Sequence, residues 1–269
     1  MSGKTYSHLT YHQTVLYFQK FGTGNKVLLA FHGYGQNSDA FEKIGQSIGT
    51  KYTLYSFDLF FHGQSIWPFG SKPLQKTSWI EIVKNFLNHQ GIERFSLAGY
   101  SMGGKFLLAI LEGMAPRIEE VCFIAPDGIK TNPWYSLATY PLFLRGVFKI
   151  MVHYPKPLFG LMDLLLHLKI LEKGLIKFAR NKMNSEAKRR RVYNSWVVFR
   201  HLSFDMETIA MLINDHGIPL KMVLGKFDKI ITLENMQILL EKLKDYKLIV
   251  LETGHNQLLD EFALHLQKN

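Results

Sequence analysis

The sequence predicts an α/β protein: one mostly parallel β-sheet covered by helices on both faces, with a helical cap inserted into it. Three observations carry this. Short, near-continuous apolar runs recur along the chain, helix-length amphipathic segments separate them, and the alternation is interrupted once, between Asp127 and Ile218. Strands buried on both faces need apolar residues at every position rather than at alternate ones. Strand–helix alternation is the pattern of a doubly covered parallel sheet.

The elements follow in order. His8–Gln19, followed by Gly22-Thr-Gly24, reads as an antiparallel edge hairpin. Buried strands are predicted at Val27–Phe31, Thr53–Phe57, Phe95–Tyr100, Val121–Ala125, Lys221–Leu224 and Lys247–Leu251, where β-branched and aromatic residues concentrate. Helices are predicted at Ser38–Ile48, Leu74–His89, Gly103–Glu112, Glu234–Leu243 and Asn256–Gln267. The interrupting segment has apolar and basic periodicity, four prolines (Pro133, Pro141, Pro155, Pro157) and no convincing strand. We therefore expect a core domain of residues 1–128 and 216–269 and a helical cap of residues 129–215. A chain of 269 residues is long enough for that arrangement and short for two large domains.

Composition narrows the function classes. Hydrophobic residues at 47% and charged residues at 20% are the balance of a folded globular protein. With one cysteine, Cys122, in an apolar strand, an intramolecular disulfide is impossible and a buried, inert thiol is expected. The first residues lack the apolar core of a secretory signal. The greasiest window, Pro157–Leu171, is broken by Asp163, His167 and Lys169 and falls short of the roughly 20 residues that span a bilayer. A cytoplasmic protein is the expectation. The net charge of +10 would suit nucleic acid if it were spread over a binding face. Instead Ile129–Asp215 holds 14 Lys/Arg against 6 Asp/Glu, leaving the rest nearly neutral. No nucleic-acid partner is expected, and no metal or cofactor.

The chemistry centres on Gly99-Tyr100-Ser101-Met102-Gly103, a G-x-S-x-G pattern between a buried strand and a helix. Such a pattern is short enough to arise by chance, and its setting makes it specific. A sharp strand-to-helix turn lifts Ser101 above the sheet and aims it at a helix N-terminus, whose free N–H groups favour negative charge. The N–H of Met102 is one expected oxyanion donor. The N–H of Tyr34, in the glycine-rich turn His32-Gly33-Tyr34-Gly35 after an earlier strand, is the other.

A nucleophilic serine needs a base and an acid to orient it. Leu224-Gly-Lys-Phe-Asp228 and Leu251-Glu-Thr-Gly-His255 both follow strands, giving the order Ser101…Asp228…His255. Asp127, after strand Val121–Ala125, is the alternative acid. His32 and His62 also follow strands, and a loop-holding role is assigned to them, as a structural turn is to Asp58.

The ordered set His32–Gly35, Asp58–Ser65, Gly99–Gly104, Gly225–Asp228 and Gly254-His255 resembles the α/β-hydrolase superfamily, in particular its capped branch of esterases, carbon–carbon hydrolases, haloperoxidase-like enzymes and lyases. The resemblance implies a serine hydrolase with the triad Ser101, Asp228 and His255. Cleavage of a small or medium apolar carboxylic ester is the first expectation. Carbon–carbon hydrolysis or lysis by the same triad is the alternative. Dehalogenases and epoxide hydrolases of this fold carry aspartate where Ser101 stands, which argues against both. The segment Asp58–Ser65 departs from the family's D-x-P-G-H-G-x-S signature, with Phe60 and Phe61 in place of proline and glycine.

Those two rings, with Trp134 and Phe227, are candidate pocket-lining residues. The cap is rich in Phe, Leu, Met and Trp, most of it expected in packing and some in a cleft, which favours an apolar acyl or alkyl group. The run Lys188-Arg189-Arg190-Arg191 reads as a solvated helix face, with weak contact to an anionic membrane surface as its functional alternative.

Overall fold

The computed structural model describes residues 6–130, 133–169, 180 and 183–268. An eight-stranded sheet runs in the order β1-β2-β4-β3-β5-β6-β7-β8. Its strands are β1 (Tyr6–Tyr11), β2 (Thr14–Phe21), β3 (Lys26–Phe31), β4 (Tyr52–Phe57), β5 (Phe95–Tyr100), β6 (Ile118–Ile124), β7 (Leu220–Gly225) and β8 (Lys247–Leu251). β1 pairs antiparallel with β2, and β2 with β4; every other pair is parallel. The mostly parallel sheet expected from the apolar runs is what forms. All six residues of β5, the strand that leads to Ser101, are buried.

The helices between strands are α1 (Glu42–Ile48), α2 (Lys76–His89), α3 (Gly103–Met114), α8 (Met206–Asp215), α9 (Leu233–Leu240) and α10 (Leu258–Lys268), with α4 to α7 in the interrupting segment. The predicted Ser38–Ile48 helix opens as a 3-10 turn, Ser38–Phe41, capped by the Asn37 side chain. From β3 the chain steps one way to β4, then reverses to β5 and continues to β8. Right-handed crossovers therefore put α1 on one face of the sheet and α2, α3, α8 and α9 on the other. α10 packs with α1, and α2 and α8 pack with α3. The reversal leaves a crevice beyond the C-terminal ends of β3 and β5, where open α/β sheets place their ligands.

The chain divides into two compact units: residues 1–68, 75–131 and 202–269 in the larger, and Phe69–Leu74 with Asn132–His201 in the smaller. This division differs at its edges from the 129–215 insert read from the sequence. α8 buries Ile209, Ala210 and Ile213 and packs on α3, so it goes with the sheet. Helical periodicity locates a helix but does not say which layer it joins.

Within the smaller unit lie α4 (Pro133–Thr139), α5 (Leu142–His153), α6 (Lys156–His167) and α7 (Glu186–Val198). Val152 of α5 packs with Tyr193 and Val197 of α7, with Phe148 against them. Leu74 N–H donates to Val198 O at 2.8 Å, tying the preceding loop to the same helix. The four-residue basic run lies on α7, and it is not a uniform solvated face. Arg189 is buried; its guanidinium donates to Val152 O (2.7 Å) and Met183 O (3.2 Å), using charge to close chain ends inside the unit. Arg190 pairs with Glu186 one turn earlier, and Lys188 and Arg191 are exposed. Among the described residues, no helix is long and apolar enough to cross a membrane.

Candidate active site

The turn from β5 into α3 is built as its glycines require. Ser101 has φ of 49°, the left-handed region that non-glycine residues rarely occupy, and such strain concentrates at functional sites. Neighbouring backbone holds it there. Ser101 N–H donates to Ile124 O at 3.0 Å, and its carbonyl accepts from Gly104 N (2.9 Å) and Asp127 N (2.8 Å). Gly103 lets α3 press onto β3: a Cβ there would sit 1.9 Å from Phe31 O and 3.0 Å from His32 O, both backbone atoms. Gly103→Ala should therefore cost about 3 kcal/mol of stability through forced separation of helix and strand. An unchanged urea midpoint for that variant would remove this account of the turn.

His255 and Asp228 arrive on neighbouring strand ends. Lys226 N–H donates to Leu251 O (2.8 Å) and Phe227 N–H to Thr253 O (3.0 Å), zipping the loop after β7 to the loop after β8. Across this junction His255 Nδ1 lies 2.6 Å from Asp228 Oδ2, and His255 Nε2 lies 3.0 Å from Ser101 Oγ. The Asp228 side chain is fully buried; its other oxygen accepts from Ile230 N (2.8 Å) and Ile231 N (2.9 Å). A carboxylate so bonded accepts a hydrogen bond from Nδ1–H, which keeps the proton on Nδ1 and leaves Nε2 as an acceptor facing the serine hydroxyl. Hydroxyl, imidazole and carboxylate thus form one line, in which the imidazole can take the hydroxyl proton while the carboxylate holds the ring.

The other candidate acids and histidines are committed elsewhere. Asp127 faces Lys105, with Oδ2 at 3.2 Å from Nζ, and its Oδ1 accepts from Gly128 N at 2.8 Å. Asp58 is buried and accepts from Ser38 N (2.7 Å) and Gln64 N (2.8 Å), clamping two loops. His32 Nε2 accepts from Leu59 N at 3.0 Å, so its Nδ1 carries the proton and donates to Gly33 O at 2.7 Å. His62 is buried beside Tyr34, their rings edge-on at 5.2 Å.

Both expected oxyanion donors lie in turns at the crevice. Met102 precedes the first residue of α3, and no hydrogen bond among the described residues uses its N–H. Tyr34 lies between Gly33, whose N–H donates to Gln36 Oε1 at 3.0 Å, and Gly35, which has φ of 80°.

The aromatic candidates separate. Phe60 is fully buried, its ring 5.2 Å from that of Trp67 and 6.3 Å from that of Trp79; two adjacent phenylalanines do not reveal which one turns inward. Phe61 is half-buried and has a left-handed backbone, φ 69°, which glycine adopts without strain. Phe227 is 59% exposed. The side chain of Trp134 lies outside the described residues. Cys122 is buried and its thiol is pushed up to about 12 by loss of hydration, which makes it inert.

Tyr100 was not singled out by its sequence context. Its hydroxyl donates to His255 O at 2.6 Å, and its ring stacks on the His255 ring at 5.2 Å and 29°. Burial, with the Asp228 charge second, raises the phenol above its ordinary range and keeps it a neutral donor. The only sequence signal was an aromatic ring immediately before the serine.

Sheet order, the crevice at the reversal and the serine turn define the class: the chain has the α/β-hydrolase fold, and residues 26–148 match the family described as alpha/beta hydrolase fold. A pimeloyl-[acyl-carrier protein] methyl ester esterase of Pectobacterium atrosepticum is 30% identical over 127 residues, 44% of this chain and 47% of that protein. The chain spans less than half the length of the curated relatives it matches. Among solved structures, a thermophilic esterase from Thermogutta terrifontis superposes with a TM-score of 0.70 at 16% identity, covering 99% of this chain and 96% of that one. A hydrolase from Pseudomonas aeruginosa gives 0.68 at 17% identity, covering 100% and 97%.

Proposed function

We propose that this chain is a serine hydrolase that cleaves a small or medium apolar carboxylic ester through an acyl-enzyme. The observation that carries the reading is the line Ser101 Oγ–His255 Nε2 (3.0 Å) and His255 Nδ1–Asp228 Oδ2 (2.6 Å), set on a strained turn at the head of α3. Ser101 Oγ attacks the ester carbonyl carbon as its proton passes to His255 Nε2, and Asp228 stabilises the imidazolium. The Met102 and Tyr34 N–H groups hold the oxygen that becomes negative. The tetrahedral adduct collapses, and the departing alkoxide takes the proton from His255. Water, deprotonated by His255, then attacks the acyl carbon and releases the acid, restoring Ser101.

A match to a protein named as an ester esterase supports the reaction class. Reaction with a fluorophosphonate, then turnover of p-nitrophenyl esters of increasing acyl length, tests the reading. Labelling at Ser101 and turnover of at least one ester are expected. Labelling without turnover of any ester would favour carbon–carbon cleavage, and folded protein that is not labelled would end the proposal.

Tyr100 acts in this scheme as a positioning residue for His255. Tyr100→Phe keeps the stacked ring and removes one hydrogen bond, so kcat should fall about 3- to 10-fold with KM unchanged. A change in KM alone would assign the ring to substrate contact instead.

A further inference from the structure

The excess positive charge of this chain sits in one place. The smaller unit contains 14 Lys/Arg against 3 Asp/Glu, a net of +11, which leaves 18 against 19 in the larger. The same unit carries apolar side chains that the fold leaves in water. On α5, Phe143 is 78% exposed, Ile150 61% and Tyr154, its C-cap, 70%. Their spacing, i, i+7 and i+11, puts them on one stripe. On α6, Leu161, Leu164 and Leu168, its C-cap, form a second stripe at i, i+3 and i+7, each between 46% and 55% exposed.

α5 is therefore apolar on two opposite sides. One side, Phe148 and Val152, packs on Tyr193 and Val197. The other faces solvent. A helix hydrophobic all round belongs to an element covered on both sides, and an exposed apolar face of this kind marks an interaction site.

The charge decides what covers it. Lys149, Lys156 and Lys169 lie on or beside these two helices, whereas Arg145 lies on the packed side of α5, near Arg200. The one acid between these lysines, Asp163, is paired with Arg180. A second copy of the chain would bring the same +11 and be repelled. A neutral apolar surface would leave the cations unused. A bilayer with anionic headgroups satisfies both features: acyl chains take the Phe143–Ile150 and Leu161–Leu168 stripes, and headgroup phosphates take the lysines. We infer that the smaller unit docks on an anionic lipid surface through the exposed stripes of α5 and α6. Lys188–Arg191 on α7 is then secondary, since Arg189 is spent inside the unit and Arg190 on Glu186.

Flotation of the full chain with phosphatidylcholine vesicles, alone or mixed with phosphatidylglycerol, tests this. Phe143→Ser/Ile150→Ser is the informative variant, because both side chains are exposed and their loss leaves the packed face of α5 intact. The wild type should bind the mixed vesicles about tenfold or more better than the neutral ones, and the double variant should lose about tenfold or more of that binding with an unchanged melting temperature. Raised salt should weaken binding. No binding to mixed vesicles, equal binding to both, or equal binding by the variant would each overturn the inference. A sedimenting dimer that the double variant dissociates, without vesicle binding, would assign the face to a second copy.

Discussion

Ser101→Ala should lower ester turnover by about 10⁶-fold, with the melting temperature unchanged. The size follows from the site acting as a unit. Without the hydroxyl, His255 has no proton to accept and no acyl-enzyme forms, so what remains is binding and the oxyanion donors, together worth about 10³ over water. The substitution is a clean one. Alanine meets the same strained φ of 49° as serine, and the backbone bonds from Ile124, Gly104 and Asp127 to residue 101 do not involve the side chain. KM should stay near the wild-type value, and fluorophosphonate labelling should vanish. Residual labelling at another serine, or turnover within about tenfold of wild type, would show that the chemistry lies elsewhere.

The next largest effect is expected at the acid. Asp228→Asn should cost about 10⁴ in kcat. The amide oxygen can still accept from Ile230 and Ile231, so the loop keeps its shape. The amide nitrogen then faces His255 Nδ1 as a donor. That forces the imidazole proton onto Nε2, where it points at Ser101 and removes the base. Asp127→Asn breaks only the contact to Lys105, across a carboxylate that is 39% exposed, and should change kcat by less than about tenfold. Measuring both variants on one ester decides between the acids, and the assignment to Asp228 fails if Asp127→Asn is the more damaging.

Much of this architecture is legible in the chain. The apolar runs at Val27, Phe95 and Val121 require a sheet buried on both faces, and each became a parallel strand. Gly99-Tyr100-Ser101-Met102-Gly103 could be read because close backbone approach is a demand that few residue types meet. Other features were not local. Phe60 and Phe61 have the same chemistry, and only the fold turns one between Trp67 and Trp79 and leaves the other half-buried. Arg189 looks like its neighbours in the basic run, yet its position on α7 aims it at two carbonyls inside the smaller unit. Tyr100 reads as one more strand aromatic until β8 brings the His255 loop against it.

The sequence by itself determined the fold class, the strand order in time and the residue types at the serine turn, because these depend on periodicity and on steric demands within a few positions. Chain order pointed to Asp228 and left Asp127 as the alternative, since both follow strands; it is the join of β7 to β8 that brings Asp228 to 2.6 Å from His255. Tertiary structure alone decided that α8 joins the sheet and that α5 and α6 leave apolar stripes in water, because a helix's period fixes its faces but not what packs against them.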